Sequence, residues 1–220
     1  MAYIFANSLP TPLLAPVINI VFMQNLKFIT FEGIEGSGKS TQSKKLHQYL
    51  LNENKDVILT REPGGTSQGE AIREILINKE LENKTEVLLN FAARNEHINK
   101  LIKPALNSNK TVISDRFVDS TYAYQGYAMN VDLAFIDVIK EQTISNFEPD
   151  VTFLIDVDVD KAFERISTRQ DNNKYEDFAI EFHQKVRDGF LDLASQNNRI
   201  KIIDGSKNEE EVFAQILTHL

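Results

Sequence analysis

The chain of 220 residues contains no cysteine. Disulfide bonds, thiolate metal sites and cysteine nucleophiles are therefore excluded. An excess of basic residues is also lacking, since 24 Lys and Arg stand against 32 Asp and Glu, and the formal net charge is −8. This charge disfavours nucleic-acid binding as the main task of the protein. Any site for a phosphorylated ligand must therefore gather its positive charge locally.

The N-terminal segment lacks positive charge, because no Lys or Arg precedes Lys27. A secretory signal needs a basic start, and the apolar run in this segment is too short to span a bilayer. Met23 lies just before the first predicted strand. We therefore expect residues 1–24 to form a disordered N-terminal extension and residues 25–220 to form a single domain.

Short apolar segments alternate with longer segments of helical spacing along the rest of the chain. The strands are predicted at residues 26–31, 56–60, 110–114, 151–156 and 199–203. The hydrophobic content of 42% suffices for one sizeable core. Strands joined by helical crossovers predict an α/β fold, in which a five-stranded parallel sheet carries helices on both faces. Ligands bind such sheets at the carboxyl ends of the strands.

The most informative segment directly follows the first predicted strand. It matches the pattern G-x-x-x-x-G-K-[ST], which predicts a loop whose backbone N–H groups surround a phosphate. Lys39 would reach the terminal phosphates of a nucleoside triphosphate, and the Ser40 hydroxyl would ligate Mg²⁺. The predicted triphosphate-binding residues are Gly33, Ile34, Glu35, Gly36, Ser37, Gly38, Lys39, Ser40 and Thr41.

A phosphate-binding loop alone allows a switch GTPase, a motor-like ATPase or a kinase. The chain contains neither N-K-x-D, which would bind a guanine base, nor D-x-x-G, which would sense a γ-phosphate, and it is short for a motor. Arg61, Arg94 and the pair Asp115-Arg116 instead suggest a second anionic substrate, because arginine binds phosphate through a planar fork. For each arginine taken alone, a surface ion pair is the alternative.

Taken in order, these motifs resemble the thymidylate kinase family, which transfers the γ-phosphoryl group of ATP to dTMP. The resemblance runs from about Lys27 to the C-terminus, and it is carried by Phe31–Gln42, Thr60–Thr66, Phe91–Arg94, Ile102–Leu106, Asp115–Phe117, Asp119–Gly126 and Pro149–Asp156. It implies a P-loop NTPase fold of the nucleoside monophosphate kinase type, ATP and dTMP as substrates, and Mg²⁺ as cofactor. It also implies a cytoplasmic homodimer without nucleic-acid or membrane partners.

Two alternatives stay open beside this resemblance. One is a kinase for another nucleoside monophosphate. The other is a nucleotide-binding regulatory or structural protein that has lost turnover. The presence of Lys39, Ser40, Arg61, Asp115 and Arg116 argues against the second alternative.

The resemblance also implies roles for single residues. Glu35 would lie near the acceptor sugar and phosphate, Arg61 and Arg116 would hold the dTMP phosphate, and Arg94 would face the thymine edge. Tyr124 would close over the deoxyribose. The full implied sets are Arg61, Asn90, Phe91, Arg94, Arg116, Thr121, Tyr124 and Gln125 for dTMP; Ser40 and Asp115 for Mg²⁺; and Glu35, Lys39, Arg165 and Arg169 for catalysis.

The phosphate loop contains no arginine, so the resemblance implies that a lid at about residues 165–176 supplies the catalytic cation. Arg165 and Arg169 are spaced i, i+4 and would share one helix face. An ordinary solvated helix end is the alternative for this charged segment. Lys174 stands where an arginine is usual in the family, and lysine lacks the bidentate fork. Arg169 is therefore expected to matter more than Lys174.

The base end of the acceptor site departs from the family pattern. Asn90 stands where a phenylalanine that stacks on thymine is common, and Phe91 follows it. One residue rotates a helix position by about 100°, so Phe91 cannot simply take the same place. Either the stack on the base is rearranged or Asn90 makes a polar contact. Phe91 as an ordinary core residue is a further alternative.

Overall fold

The structure is a computed structural model that describes residues 26–166 and 180–220. Within these residues, five parallel strands form one sheet in the order β2-β3-β1-β4-β5. The strands are β1 (Phe28–Glu32), β2 (Val57–Arg61), β3 (Thr111–Asp115), β4 (Val151–Asp156) and β5 (Ile200–Asp204). The α/β fold predicted from the sequence is confirmed, and each strand lies within two residues of its predicted bounds.

The helices of the described ranges connect and follow these strands. They are α1 (Lys39–Asn52), α2 (Ser67–Asn78), α3 (Asn83–His97), α4 (Lys103–Asn107), α5 (Val118–Thr121), α6 (Leu133–Thr143), α7 (Val159–Ile166), α8 (Ile180–Gln196) and α9 (Glu209–Leu217). A π-helical stretch, Ile98–Ile102, joins α3 to α4, and a second one, Tyr122–Ala128, continues α5. Such wide turns occur frequently at functional sites.

Both faces of the sheet are covered by helices. Ile29 of β1 packs in one core with Leu46 of α1 and Phe213 of α9. Phe28, the preceding residue, points to the opposite face and packs in a second core with Phe91 of α3. This alternation follows from the two-residue period of a strand. A parallel sheet that is buried on both faces needs apolar side chains in both directions, and β1 supplies them.

The parallel register places the carboxyl ends of the central strands side by side. Phe31 of β1 is level with Asp115 of β3 and with Phe153 of β4. Arg61 of β2 is level with Asp115 on the other side. The sheet therefore delivers the phosphate loop, Asp115 and Arg61 to a single edge, where ligands bind in open α/β sheets.

Some expectations concern residues outside the described ranges. The proposed N-terminal extension, residues 1–24, and most of the proposed lid, including Arg169 and Lys174, belong to this group. Arg165 is described and lies in the last turn of α7. Among the helices of the described ranges, none has the length and apolar character needed to cross a bilayer.

Candidate active site

The loop between β1 and α1 forms a cradle of backbone groups. Gly38, with φ +100°, caps the N-terminus of α1, and a left-handed residue of this kind is best supplied by glycine. The N–H groups in the first turn of α1 have no partners within the helix, so they are available to an anion. Lys39 Nζ donates to the Ile34 carbonyl at 3.3 Å. Burial lowers the pKa of Lys39, and Arg116 lowers it further.

Helix α7 packs directly against this cradle. Gly36 has φ +76°, and a Cβ atom on it would lie 2.3 Å from the Ala162 carbonyl oxygen. Arg165 Nη1 donates to the Gly36 carbonyl at 3.3 Å, and Nη2 donates to the Gly205 carbonyl at 2.9 Å. Arg165 therefore lies against the backbone of the phosphate loop. Its hydrogen bonds connect this loop to the chain segment after β5.

Two oxygen ligands suitable for Mg²⁺ meet between β3 and α1. The Ser40 hydroxyl donates a hydrogen bond to Asp115 Oδ2. Asp115 Oδ1 is buried and accepts no hydrogen bond from the described residues. Mg²⁺ prefers oxygen ligands and commonly binds through one or two protein groups plus substrate phosphates. This pair fits such an ion, and the described ranges hold no cluster of three acidic or histidine side chains that would form a separate cage.

A chamber that is partly open to solvent lies beside the cradle. Its wall combines charged, apolar and amide groups. The lining residues are Glu35, Glu62, Pro63, Arg73, Leu76, Ile77, Asn90, Arg116, Ser120, Thr121, Tyr124 and Gln125. Six residues that the sequence analysis placed in the site thus line one cavity: Glu35, Asn90, Arg116, Thr121, Tyr124 and Gln125.

Three residues predicted for the same site do not line the chamber. Arg61 is paired through both Nη atoms with Glu70, at 2.8 and 3.0 Å, and lines a neighbouring hollow. Phe91 is fully buried in the core, which is the placement expected for an ordinary core residue. Arg94 is buried behind the chamber wall, where its Nη1 donates to the Thr121 hydroxyl at 3.1 Å.

Arg116, Glu35 and Tyr124 form a hydrogen-bonded triangle where the chamber meets the phosphate loop. Arg116 Nη2 donates to Glu35 at 2.6 Å and to the Tyr124 hydroxyl at 3.2 Å, and the Tyr124 hydroxyl also donates to Glu35. Burial alone would raise the pKa of Glu35, but Arg116 and Lys39 outweigh it and lower the pKa to about 2. Burial raises the pKa of Tyr124 well above its ordinary value. An anionic carboxylate and a cationic guanidinium therefore face the boundary between chamber and cradle.

Arg94 is fixed by a buried network. Its Nε donates to Glu62 Oε2 at 2.7 Å, while His97 Nδ1 donates to the other oxygen of Glu62 at 2.9 Å. All three side chains are at most 4% exposed. A buried carboxylate needs such partners, because an unpaired one costs several kcal/mol. The network therefore fixes the positions of Glu62 and Thr121 in the chamber wall.

A second buried carboxyl group, that of Glu32, lies beneath Arg116. Glu32, the last residue of β1, accepts hydrogen bonds from the backbone N–H groups of Phe117, at 2.7 Å, and Ser120, at 3.2 Å. The Ser120 hydroxyl donates to its other oxygen at 2.5 Å. Burial and the charge of Asp119 raise the pKa of Glu32 to about 8. Glu32 thus anchors the loop in which Arg116 adopts φ +73°.

Residues that were not predicted from the sequence also build or line the site: Glu32, Glu62, Pro63, Arg73, Leu76, Ile77, His97 and Ser120. Arg73 lines the chamber and donates to the Pro63 carbonyl at 3.1 Å. Burial and the nearby Arg61 lower its pKa. In the sequence it resembles any helix arginine. His97 could have been found, since it lies three residues after Arg94 on one helix face. Glu32 carried a signal as well, because it is an acidic residue inside a buried strand.

Comparison with known proteins gives consistent results. The family model "Thymidylate kinase" matches residues 31–216. The thymidylate kinase of Wolbachia pipientis subsp. Culex pipiens is 44% identical over 195 residues, which cover 86% of this chain and 93% of that protein. The thymidylate kinase of Vesicomyosocius okutanii is 44% identical over 198 residues, or 88% and 97%. The crystal structure of thymidylate kinase from Ehrlichia chaffeensis superposes with a TM-score of 0.72 at 41% identity, covering 87% of this chain and 96% of that one.

Proposed function

The chain belongs to the thymidylate kinase family, and we propose that it transfers the γ-phosphoryl group of ATP to dTMP in its two adjoining sites. An oxygen of the dTMP phosphate forms a bond to the γ-phosphorus, the bond to the bridging oxygen of ADP breaks, and dTDP and ADP leave. The observation that carries this proposal is the boundary between cradle and chamber. There Lys39, Glu35 and Arg116 lie together where two phosphate groups would meet.

The cradle residues Gly33–Thr41 would bind the phosphates of ATP, and Lys39 would neutralise charge on the terminal groups. Ser40 and Asp115 would hold Mg²⁺, which supplies further positive charge to the phosphates when it is bound. Little covalent chemistry is required of the protein, because phosphoryl transfer depends mainly on in-line positioning and electrostatic stabilisation.

Arg116 is the proposed main ligand of the acceptor phosphate. It already lines the chamber, and its present partner Glu35 is an anion that a phosphate dianion would compete with. Arg61 would join it by exchanging Glu70 for the phosphate, since both Nη atoms are held by that exposed carboxylate. Exposed ion pairs contribute at most about 1 kcal/mol, so this exchange costs little.

The base and sugar of dTMP would occupy the other end of the chamber. Tyr124 would lie against the deoxyribose, while Asn90, Thr121 and Gln125 offer hydrogen-bonding groups to the base. Asn90 Nδ2 donates to the Glu86 backbone carbonyl at 2.9 Å, and this contact is compatible with a polar wall at the position where the resemblance to the family implies an aromatic ring.

The catalytic cation is proposed to be Arg169. Arg165 donates to three backbone carbonyls of the phosphate loop and of the segment after β5. These contacts support a role in holding the loop rather than in touching the transferred group. A homodimer and a cytoplasmic location, both implied by the resemblance, belong to the same proposal. Light scattering on purified protein measures the oligomeric state.

The decisive experiment measures ADP formation from ATP and Mg²⁺ with dTMP, dUMP, dCMP or dGMP supplied separately. Lys39→Ala serves as the blank, and Lys100→Ala, at an exposed position, serves as the matched control. Strong preference for dTMP, lost in the blank alone, supports the proposal. Preference for another monophosphate would reassign the substrate. Absence of turnover with every acceptor would favour a nucleotide-binding protein without kinase activity.

A further inference from the structure

Glu86 and Gln125 form a buried pair behind the base end of the chamber. Gln125 Nε2 donates to Glu86 Oε2 at 3.0 Å, and both side chains are 3% exposed. Glu86 belongs to α3, whereas Gln125 belongs to the π-helical stretch Tyr122–Ala128. The bond therefore joins two elements that both contribute to the chamber wall, α3 through Asn90 and the π-helical stretch through Tyr124 and Gln125.

The charge of Glu86 decides which end of the Gln125 amide faces it. A carboxylate has acceptor atoms only, so it must be met by the NH₂ group and not by the carbonyl oxygen. Gln125 lines the chamber, and its Oε1 receives no hydrogen bond from the part of the chain that the structure describes. The group that Gln125 offers to a ligand is therefore an acceptor.

This acceptor distinguishes between pyrimidine bases. Thymine and uracil carry a hydrogen on N3, whereas cytosine has a lone pair at N3. A fixed carbonyl oxygen accepts a hydrogen bond from N3–H, but it opposes the lone pair of cytosine. A ligand that leaves a polar group of the wall without a hydrogen-bond partner loses more binding free energy than a ligand that merely lacks one apolar contact.

We propose that Glu86 is a positioning residue for base selection. By holding Gln125 Nε2, it keeps Oε1 directed at the bound base and so favours a pyrimidine with N3–H over one without it. This inference rests on the proposed function, because it takes the base of dTMP to lie at this end of the chamber.

Glu86→Gln tests the proposal with almost no change of volume. A neutral amide at position 86 offers either a donor or an acceptor, so Gln125 is free to turn its NH₂ group toward the ligand. We expect the ratio of kcat/KM for dTMP over dCMP to fall by about tenfold or more, which corresponds to about 1.4 kcal/mol. The ratio for dTMP over dUMP should stay within about twofold, because uracil presents the same N3–H.

A double variant, Glu86→Gln with Gln125→Glu, exchanges the two groups. The amide introduced at position 86 then donates to the carboxylate introduced at position 125, whose second oxygen is again an acceptor for the base. The preference for dTMP over dCMP should return, even if the added charge raises KM for both. Glu82→Gln, an exposed position one helical turn earlier, is the matched control and should change neither ratio.

Wild-type turnover of dTMP is measured first in the same assay, and its absence would refute the proposed function rather than this inference. Given that turnover, an unchanged ratio of dTMP to dCMP in Glu86→Gln overturns the role of Glu86. A parallel fall of both ratios also overturns it, because that result indicates a generally loosened pocket. If Glu86→Gln does not fold, the double variant becomes the test. A double variant that does not show the wild-type preference for dTMP over dCMP then overturns the proposal.

Discussion

Replacement of Glu32 by glutamine should raise the free energy of unfolding relative to wild type, by an amount that grows as the pH rises. Glu32 is fully buried and its pKa is raised from 4.5 to about 8 by burial and by Asp119. At pH 6 the folded protein therefore holds a proton on this group that the unfolded chain has released. A glutamine reproduces the protonated acid in shape, since its carbonyl can accept from Phe117 and Ser120 and its NH₂ can donate to the Ser120 hydroxyl.

The size of the effect follows from proton linkage. Between pH 4.5 and pH 8 the folded state binds one proton more than the unfolded state, so the free energy of unfolding decreases as the pH rises. The contribution of Glu32 is fully present below pH 4.5 and falls by about 1.4 kcal/mol for each unit. The total loss reaches about 5 kcal/mol at pH 8. Because glutamine does not titrate, the free energy of unfolding of Glu32→Gln does not show this decrease.

Urea unfolding followed by circular dichroism at pH 5, 6, 7 and 8 measures the effect. The difference in the free energy of unfolding, variant minus wild type, should grow in favour of the variant by about 1.4 kcal/mol per pH unit. Glu74→Gln, which removes an exposed carboxylate of α2, should follow the wild-type curve. If Glu32→Gln runs parallel to wild type across this range, Glu32 does not carry the proton in the folded state.

Three further predictions concern the proposed site. Arg94→Lys keeps the positive charge but loses the planar fork to its buried carboxylate, so the free energy of unfolding should fall by about 3 kcal/mol, measured in urea; a loss below 1 kcal/mol would contradict the buried network. Asp115→Asn should raise the Mg²⁺ concentration for half-maximal turnover by about tenfold or more, and an unchanged Mg²⁺ titration would remove it from the metal site. Arg169→Ala should lower kcat by about 100-fold, whereas Lys174→Ala should be mild, and equal small effects would remove Arg169 from the catalytic set.

The fold and the phosphate loop could be predicted because their signals are local. Each strand is a short apolar run, and the loop residues Gly33–Thr41 are contiguous in the sequence. The parallel arrangement followed from the crossovers, and with it the edge at which Arg61 and Asp115 would gather.

The acceptor site was only partly predictable, because its contacts join distant residues. Glu86 and Gln125 are 39 positions apart. Their pairing depends on how α3 packs against a π-helical stretch, which the hydrophobic periodicity of the sequence does not predict. Arg94 was identified as a functional arginine, but its burial behind Glu62 depends on side-chain packing between β2 and α3. Phe91 could not be assigned to core or site until the rotation of α3 was known.

The close approach of Gly36 to α7 limits where the enzyme can place its catalytic cation. Any side chain at position 36 would collide with the backbone oxygen of Ala162, 2.3 Å from the would-be Cβ atom. A backbone atom cannot swing aside as a flexible side chain does, so an arginine cannot be grafted there by a single substitution. A side chain at position 36 and the backbone of α7 would therefore occupy the same volume. A redesign that places the cation at position 36 must first move α7, the helix that follows β4, away from the loop, so that a substitution at one position is not enough.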